Sequence, residues 1–349
     1  MRLELPRALT ERFSRDIGID LGTANTLVYL KGKGVVITEP SVVAVNQKTG
    51  QVVAVGTQAR DMLGRTPAHI SAVRPLVEGV VSDFEVTEEM LAYLIQKAQG
   101  ERMALGPRVV IGVPSGITSV EVRAVRDAAR NAGAREVFII EEPMAAALGA
   151  KLPVREPIGT MIVDIGGGTT DIALLSLGGI VRSKNVRIAG DTLNQDIASY
   201  IRSEFKILIG DRTAEDVKIA VGSVLKPSVP LQTTIRGRDL VTGLPREIVI
   251  TDTDVREAIS GSVSTIIESV KEVLETAPPE VVADVMRLGM YVTGGGALLR
   301  GLPELLEEEL KIPIHMIEDP LTTVVRGTGV VLEDVEAFRP LLLDEDETR

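Results

Sequence analysis

Two stretches of this 349-residue chain are built to one design, and that repeat constrains the fold more than any other feature. "IGIDLGTANTLVYL" (17–30) runs through apolar β-formers into Asp20, turns through "DLGTAN" and leaves as a second apolar run, the pattern of a strand, a polar turn and a strand. "TMIVDIGGGTTDIALLSL" (160–177) repeats it, with apolar Met161 to Val163, then Asp164, then glycines and threonines, then apolar Ile172 to Leu175. Asp20 corresponds to Asp164. The echo continues past each hairpin, in "LKGKGVV" from Leu30 and "LSLGGIV" from Leu175, with the register one residue longer. Such a repeat implies two related halves, each on its own sheet. Short strand-like runs between helical ones imply an α/β fold.

A lone carboxylate at the end of a buried strand is expensive, so Asp20 and Asp164 need a reason. Gly22 and Thr23 in one turn, and Gly166, Gly167, Gly168 and Thr169 in the other, can aim several N–H groups at one point and form an anion cradle. Phosphates suit such a cradle. An aspartate beside a phosphate repels it unless a hard cation such as Mg²⁺, keeping its waters, lies between them. The plainer reading is a tight hairpin whose aspartate makes turn hydrogen bonds. The duplication favours the phosphate reading.

Between the hairpins, "RVVIGVPSG" (108–116) reads as a strand ended by Pro114 and Gly116. Thr118 with Glu121 makes a capping-box start to a helix running to about Ala132, with Gly133 as its stop. Its spacing puts Val122, Val125 and Ala129 on one face and Arg123, Arg126 and Arg130 on the other. "EVFIIEEPMAAALGAKL" then reads as a buried strand, two glutamates and a helix with Pro143 in its first turn. Glu141 and Glu142 fall at that junction. They are either solvated residues favoured by the helix dipole or the source of a base that orients a water for attack on a terminal phosphate.

Beyond the second hairpin, helices are expected around 191–206, 213–225 and 253–276, with a strand-rich piece from Leu231 to Ile250 between the last two. "MYVTGGGALLRGLPELLEEEL" reads as a strand, a glycine turn and a helix, and Thr293 to Gly296 offer glycines against which a flat base can pack. Leu299 occupies the final glycine position of a G-x-G-x-x-G, and the chain contains no G-x-x-x-x-G-K-[ST]. His69 and His315 are isolated and are read as structural.

A net charge of −11 argues against nucleic acid as a partner. With no cysteine there is no disulfide framework. The opening "MRLELPRALTERFSR" is too charged for a secretory signal, and no run of 18 apolar residues is present to span a bilayer. A cytoplasmic protein is expected. The acidic end "LLLDEDETR" is expected to fray.

The set "DLGTANT", "IEEPMAAALG", "DIGGGTTD" and "TGGGALLRGL", in this order, resembles the actin, sugar-kinase and DnaK-type chaperone superfamily. More narrowly, "GIDLGTANTLVYLKGKGVVITEPSVVAV", "RVVIGVPSGIT", "IAGDTLNQDI", "TGLPREIVI" and "EDPLTTVVRGTG" resemble the MreB/Mbl family of bacterial actin homologues, from Asp16 to about Leu332. The resemblance implies an actin-like ATPase fold of two related α/β domains, each a mixed sheet flanked by helices, with a nucleotide cleft between them and four subdomains. These would be IA (1–32, 79–148 and 323–349), IB (33–78), IIA (149–186 and 252–322) and IIB (187–251). ATP and Mg²⁺ are the implied cofactors. Asp20 and Asp164 match the Mg²⁺-side aspartates, acting through water. Gly22, Thr23, Ala24 and Asn25 match the first phosphate loop, and Gly166, Gly167, Gly168 and Thr169 the second. Glu142, the glutamate preceding the proline, matches the hydrolytic position. Glu215 and Lys218 resemble the adenosine-side pair, with Gly294, Gly295, Gly296 and Ala297 as the base-binding turn. Two positions depart from the family: Ala220 stands where a glutamate is usual, and Asp171 where a glutamate is common.

The implied function is a slow ATPase whose polymers, lying against the inner face of the cell membrane, organise cell-wall synthesis and keep a rod shape. Its implied partners are other copies of itself, paired in protofilaments by the family pattern, the inner membrane surface and cell-wall elongation proteins. Leu5, Leu9 and Phe13, spaced as an amphipathic helix, and Met103, Ala104 and Leu105 are the candidate membrane contacts. Two rivals share the fold. A small-molecule kinase needs an acceptor pocket for which no candidate stands out, and a chaperone-type ATPase is expected to carry a substrate-binding domain after the fold.

Overall fold

The computed structural model describes residues 15–100 and 106–343. The candidate membrane residues Leu5, Leu9, Phe13, Met103, Ala104 and Leu105 therefore lie outside the described residues. The chain divides into two compact units: one holds the residues up to 157 with 177–180 and those from 321 on, and the other holds 158–176 and 181–320.

In the first unit, five strands lie in the order Glu136–Glu141, Arg108–Val113, Ile17–Leu21, Asn25–Leu30, Gly34–Pro40. The first three run parallel and the hairpin strands that follow are antiparallel. Ile17, Ile19, Val109, Ile111 and Ile139 are fully buried along its centre, as expected where a sheet is covered on both faces. A small antiparallel sheet of Val43–Asn46, Val52–Val55 and Ile70–Val73 carries the helix Thr57–Met62.

The helix Glu142–Gly149 is buried along its whole length, and the small residues of "PMAAALG" have a physical cause. It crosses the helix Thr323–Glu333 at backbone contact: a Cβ at Gly149 would lie 2.0 Å from the carbonyl oxygen of Thr323. A Cβ at Gly18 would lie 2.1 Å from the Thr328 hydroxyl, so the same second helix also presses on the central strand. Close packing of this kind has no room for a methyl group.

The helix Ser119–Asn131 starts at the expected capping box, Glu121 taking the Thr118 N–H at 2.8 Å. Val122, Val125 and Ala129 are buried as their spacing requires, but Arg126 is buried too, only 4% exposed. The expected grouping is corrected here: Arg123 and Arg130 are exposed, but Arg126 is buried with the apolar face. The guanidinium of Arg126 donates to the carbonyl of Leu343 at 3.3 Å, and the Leu343 N–H donates to Ile139 at 2.9 Å on the edge strand. A segment remote in sequence thus covers the arginine, whose stem packs while its head finds a carbonyl. Leu343, the third residue of the stretch expected to fray, is held; residues 344–349 lie outside the described ones.

The second unit repeats the plan. Its five strands lie in the order Gly179–Val186, Thr170–Ser176, Thr160–Ile165, Met290–Thr293, Ile314–Met316. As in the first unit, the hairpin's first strand pairs antiparallel with its successor and parallel with a later strand on its other side. The helices Gly190–Phe205, Asp211–Val221 and Asp252–Glu275 occur where the pattern placed them. The second stops four residues earlier than expected, at Gly222, where a Cβ would lie 2.3 Å from the Lys218 carbonyl oxygen. The strands Ile207–Leu208, Gln232–Asp239 and Pro245–Thr251 form a small antiparallel sheet. Among the described residues no helix is long and apolar enough to cross a membrane.

Candidate functional site

In the first unit, Asp20 faces Leu27 across the hairpin and pairs on its other side with Gly112. Burial pushes its carboxyl up to about 7, so near neutrality it ionises fully only beside positive charge. The turn that follows is fixed through its carbonyls. The Ser41 hydroxyl donates to Gly22 at 2.5 Å, the Ser41 N–H donates to Ala24 at 3.0 Å, and Thr23 Oγ1 accepts the Gly79 N–H at 2.9 Å. No hydrogen bond among the described residues takes up the N–H groups of Gly22, Thr23 or Ala24. A turn held by its acceptors, with its donors unclaimed, is an anion cradle. Gly22 is needed for space, since a Cβ there would lie 2.6 Å from the Asn25 carbonyl oxygen. Asn25, exposed, opens the returning strand.

The two glutamates part company at the strand-to-helix junction. Glu141 ends its strand beside Ser115 and the Gly116 N–H, and burial raises its carboxyl. Glu142, 9% exposed, lies against Gly112, where a Cβ would be 3.5 Å from its Cγ. Because Gly112 is the strand partner of Asp20, the structure brings Glu142, Asp20 and the first turn to the same end of one sheet.

In the second unit, Asp164 pairs across its hairpin with Asp171 and on its other side with Thr293. This hairpin therefore carries one more carboxylate than the first, and Asp171, 1% exposed, accepts from Asn185 at 2.9 Å. The loop between them is again held by its carbonyls: Gly190 N–H donates to Gly166 at 3.1 Å and Asp191 N–H to Gly167 at 2.7 Å. The Gly166 N–H closes the turn onto Thr169, while those of Gly167, Gly168 and Thr169 have no hydrogen bond among the described residues. Lys218 donates to the Gly190 carbonyl at 2.8 Å, and burial holds its ammonium below the usual lysine range. Glu215 lies one turn before it on the same helix.

The glycine turn of 294–297 rests directly on this hairpin. A Cβ at Gly294, whose φ is +84°, would lie 2.3 Å from Asp164 Oδ1, and one at Gly296 would lie 2.2 Å from Ile165 Cγ2. Ala297 is buried within the short turn Gly295–Leu298. The structure thus brings Asp164, Gly166 to Thr169, Lys218 and Gly294 to Ala297 together in one unit.

Sequence reasoning missed Ser41, Gly190 and Asp191, whose donors hold the two loops. "EPSVVAV" and "IAGDTLNQDI" carried only a likeness, because the bonds they make close on residues far away in the chain. Among the described residues no group of three or more histidine, cysteine, aspartate or glutamate side chains forms a metal cluster. His315 Nε2 lies 2.8 Å from the Leu288 carbonyl and its ring 5.2 Å from Tyr291, a structural setting.

The family model described as MreB/Mbl protein matches residues 14–340. The cell shape-determining protein Mbl of Bacillus subtilis (strain 168) is 51% identical over 324 residues, covering 93% of this chain and 97% of that one. The cell shape-determining protein MreB of Escherichia coli (strain K12) is 48% identical over 339 residues, covering 96% and 98%. The solved structure of MreB5 of Spiroplasma citri bound to AMPPNP is 40% identical with a TM-score of 0.89, covering 93% and 97%. The same relative bound to ADP is 41% identical with a TM-score of 0.88, covering 92% and 97%. A MamK double helical filament shares the fold at 24% identity and a TM-score of 0.79. With its actin-like α/β fold and these relatives over nearly its whole length, the chain belongs to the MreB/Mbl family.

Proposed function

We propose that this chain is an ATP-dependent cytoskeletal protein that polymerises at the inner face of the cell membrane, organises cell-wall synthesis and maintains cell shape. One observation carries the reading. In each unit a buried hairpin carries an aspartate two positions before a glycine loop whose carbonyls are tied down and most of whose N–H groups, all but that of Gly166, take no hydrogen bond among the described residues. The cell-shape role is supported by the names of the curated relatives, and the nucleotide by the AMPPNP- and ADP-bound forms of MreB5.

On this reading Gly22 to Asn25 in the first unit and Gly166 to Thr169 in the second are phosphate-binding loops, and Glu215, Lys218 and Gly294 to Ala297 bind adenosine. Asp20 and Asp164 are oxygen donors of the type a hard cation prefers, and one carboxylate from each hairpin suits an ion that keeps most of its waters. Bound there, Mg²⁺ supplies charge neutralisation at the phosphates. Glu142 orients the attacking water, while Glu141 ends its strand beside the Gly116 N–H. Hydrolysis is slow and times filament turnover. Residues 33–78 and 187–251 form the smaller subdomains of the two halves. Cell-wall elongation proteins and the membrane surface are the partners.

Sedimentation with and without ATP–Mg²⁺ and lipid vesicles tests the proposal. Nucleotide-dependent pelleting, increased by vesicles, is expected. A chain that stays in the supernatant under every condition while phosphorylating a small-molecule acceptor would be a kinase instead.

A further inference from the structure

Arg300 follows the glycine turn, and its guanidinium reaches back to the helix Asp211–Val221 that carries Glu215 and Lys218. It donates to the carbonyl of Ile219 at 3.0 Å and to that of Gly222 at 3.2 Å. These are carbonyls of a helix C-terminal end, which lack helical partners and attract a cation. The backbones are joined at the same place. Val224 N–H donates to the Arg300 carbonyl at 2.9 Å, and the Ser223 hydroxyl approaches that carbonyl at 3.3 Å. Neither segment has slack: a Cβ at Gly222 would lie 3.0 Å from Leu299 Cδ1, and one at Gly301 would lie 3.1 Å from Leu225 Cβ. The second glycine loop is held by the N–H groups of Gly190 and Asp191, which Arg300 does not touch, and Lys218 joins its helix to the Gly190 carbonyl at 2.8 Å.

We propose that Arg300 is a positioning residue for the base side of the nucleotide site, locking the end of the Lys218 helix to the glycine turn so that both walls around the base are set by one clamp. The inference rests on the nucleotide reading above. A base recognised between two elements needs both at fixed spacing, and a planar guanidinium whose Nη1 donates to two carbonyls of one helix end, those of Ile219 and Gly222, fixes it better than an ammonium can. The phosphates, held by loops that Arg300 does not touch, are indifferent to it.

The test compares affinities of the full-length chain for ATP and for inorganic tripolyphosphate, both with Mg²⁺, in Arg300→Met and Arg300→Lys. Arg300→Met is expected to bind ATP ~10-fold more weakly, the loss of one charge-assisted hydrogen bond, with unchanged tripolyphosphate affinity. Arg300→Lys is expected to recover part of the ATP affinity. Wild-type ATP affinity in Arg300→Met, or equal losses for the two ligands, overturns the proposal. If Arg300→Met does not fold, Arg300→Lys decides alone: a smaller loss confined to ATP supports the clamp, and wild-type ATP affinity, equal losses or failure to fold overturns it. A wild-type chain that binds tripolyphosphate but no ATP would instead refute the nucleotide reading itself.

Discussion

Gly327 and Ala145 are in backbone contact: a Cβ at position 327 would lie 1.7 Å from the Ala145 carbonyl oxygen. The helix that follows Glu142 is thereby held against the helix Thr323–Glu333, and the glutamate's place at the sheet end depends on it. Gly327→Ala forces the two helices apart, an overpacking that costs about 3 kcal/mol or more. Denaturant unfolding will read this as a lower midpoint or as loss of the folded chain; a variant within about 0.5 kcal/mol of wild type would show that the contact yields easily.

Gly261 is the opposite case. It lies inside the helix Asp252–Glu275, where a Cβ would meet nothing within 4 Å. Gly261→Ala removes unfolded-chain freedom without strain and is expected to stabilise by about 0.4–1 kcal/mol. A thermal melt measures it as a raised midpoint, and destabilisation would show that this exposed face is packed.

Asp252 joins the small sheet to the long helix. Its carboxylate accepts the Leu231 N–H at 3.0 Å and the Arg256 guanidinium at 2.9 Å, and these bonds hold its carboxyl below the usual aspartate range, the backbone bond foremost. A depressed folded value gives stability that is present at neutral pH and is lost as pH falls through that value. Asp252→Asn should therefore be about 1 kcal/mol less stable than wild type at pH 7, with the difference shrinking below pH ~4. Urea unfolding across pH will show it; a difference that grows on acidification contradicts the assignment.

Glu142→Ala is expected to leave nucleotide affinity near wild type and to slow phosphate release ~10²–10⁴-fold. Single-turnover phosphate release measures this, and unchanged turnover would remove Glu142 from the role. Glu141→Gln, at a carboxylate beside the Gly116 N–H, should change turnover far less.

The parts legible in the sequence are those set by local chemistry. Alternation into Asp20 and Asp164 followed by glycines wrote both hairpins, and Thr118 with Glu121 wrote a helix start that the structure reproduces. The parts that were not legible depend on partners distant in the chain. Arg126, a charged residue, is nonetheless buried, and its guanidinium reaches the Leu343 carbonyl 217 residues away in the chain. The alanines of 144–149 and Gly149 look merely permissive until Thr323 and Gly327 are seen pressing on them. Gly190 and Asp191 carry no signal of their own for holding the second loop, because the acceptors they serve lie in a different hairpin.

The proposed function rests on each glycine loop, with its aspartate, being a binding element for nucleotide phosphates and Mg²⁺. Calorimetric titration of the chain with ATP, in Mg²⁺ and again in excess EDTA, tests it most directly. The account predicts one ATP per chain with Mg²⁺ and a loss of affinity of ~10-fold or more in EDTA; no binding in either buffer, or an affinity indifferent to Mg²⁺, would contradict it.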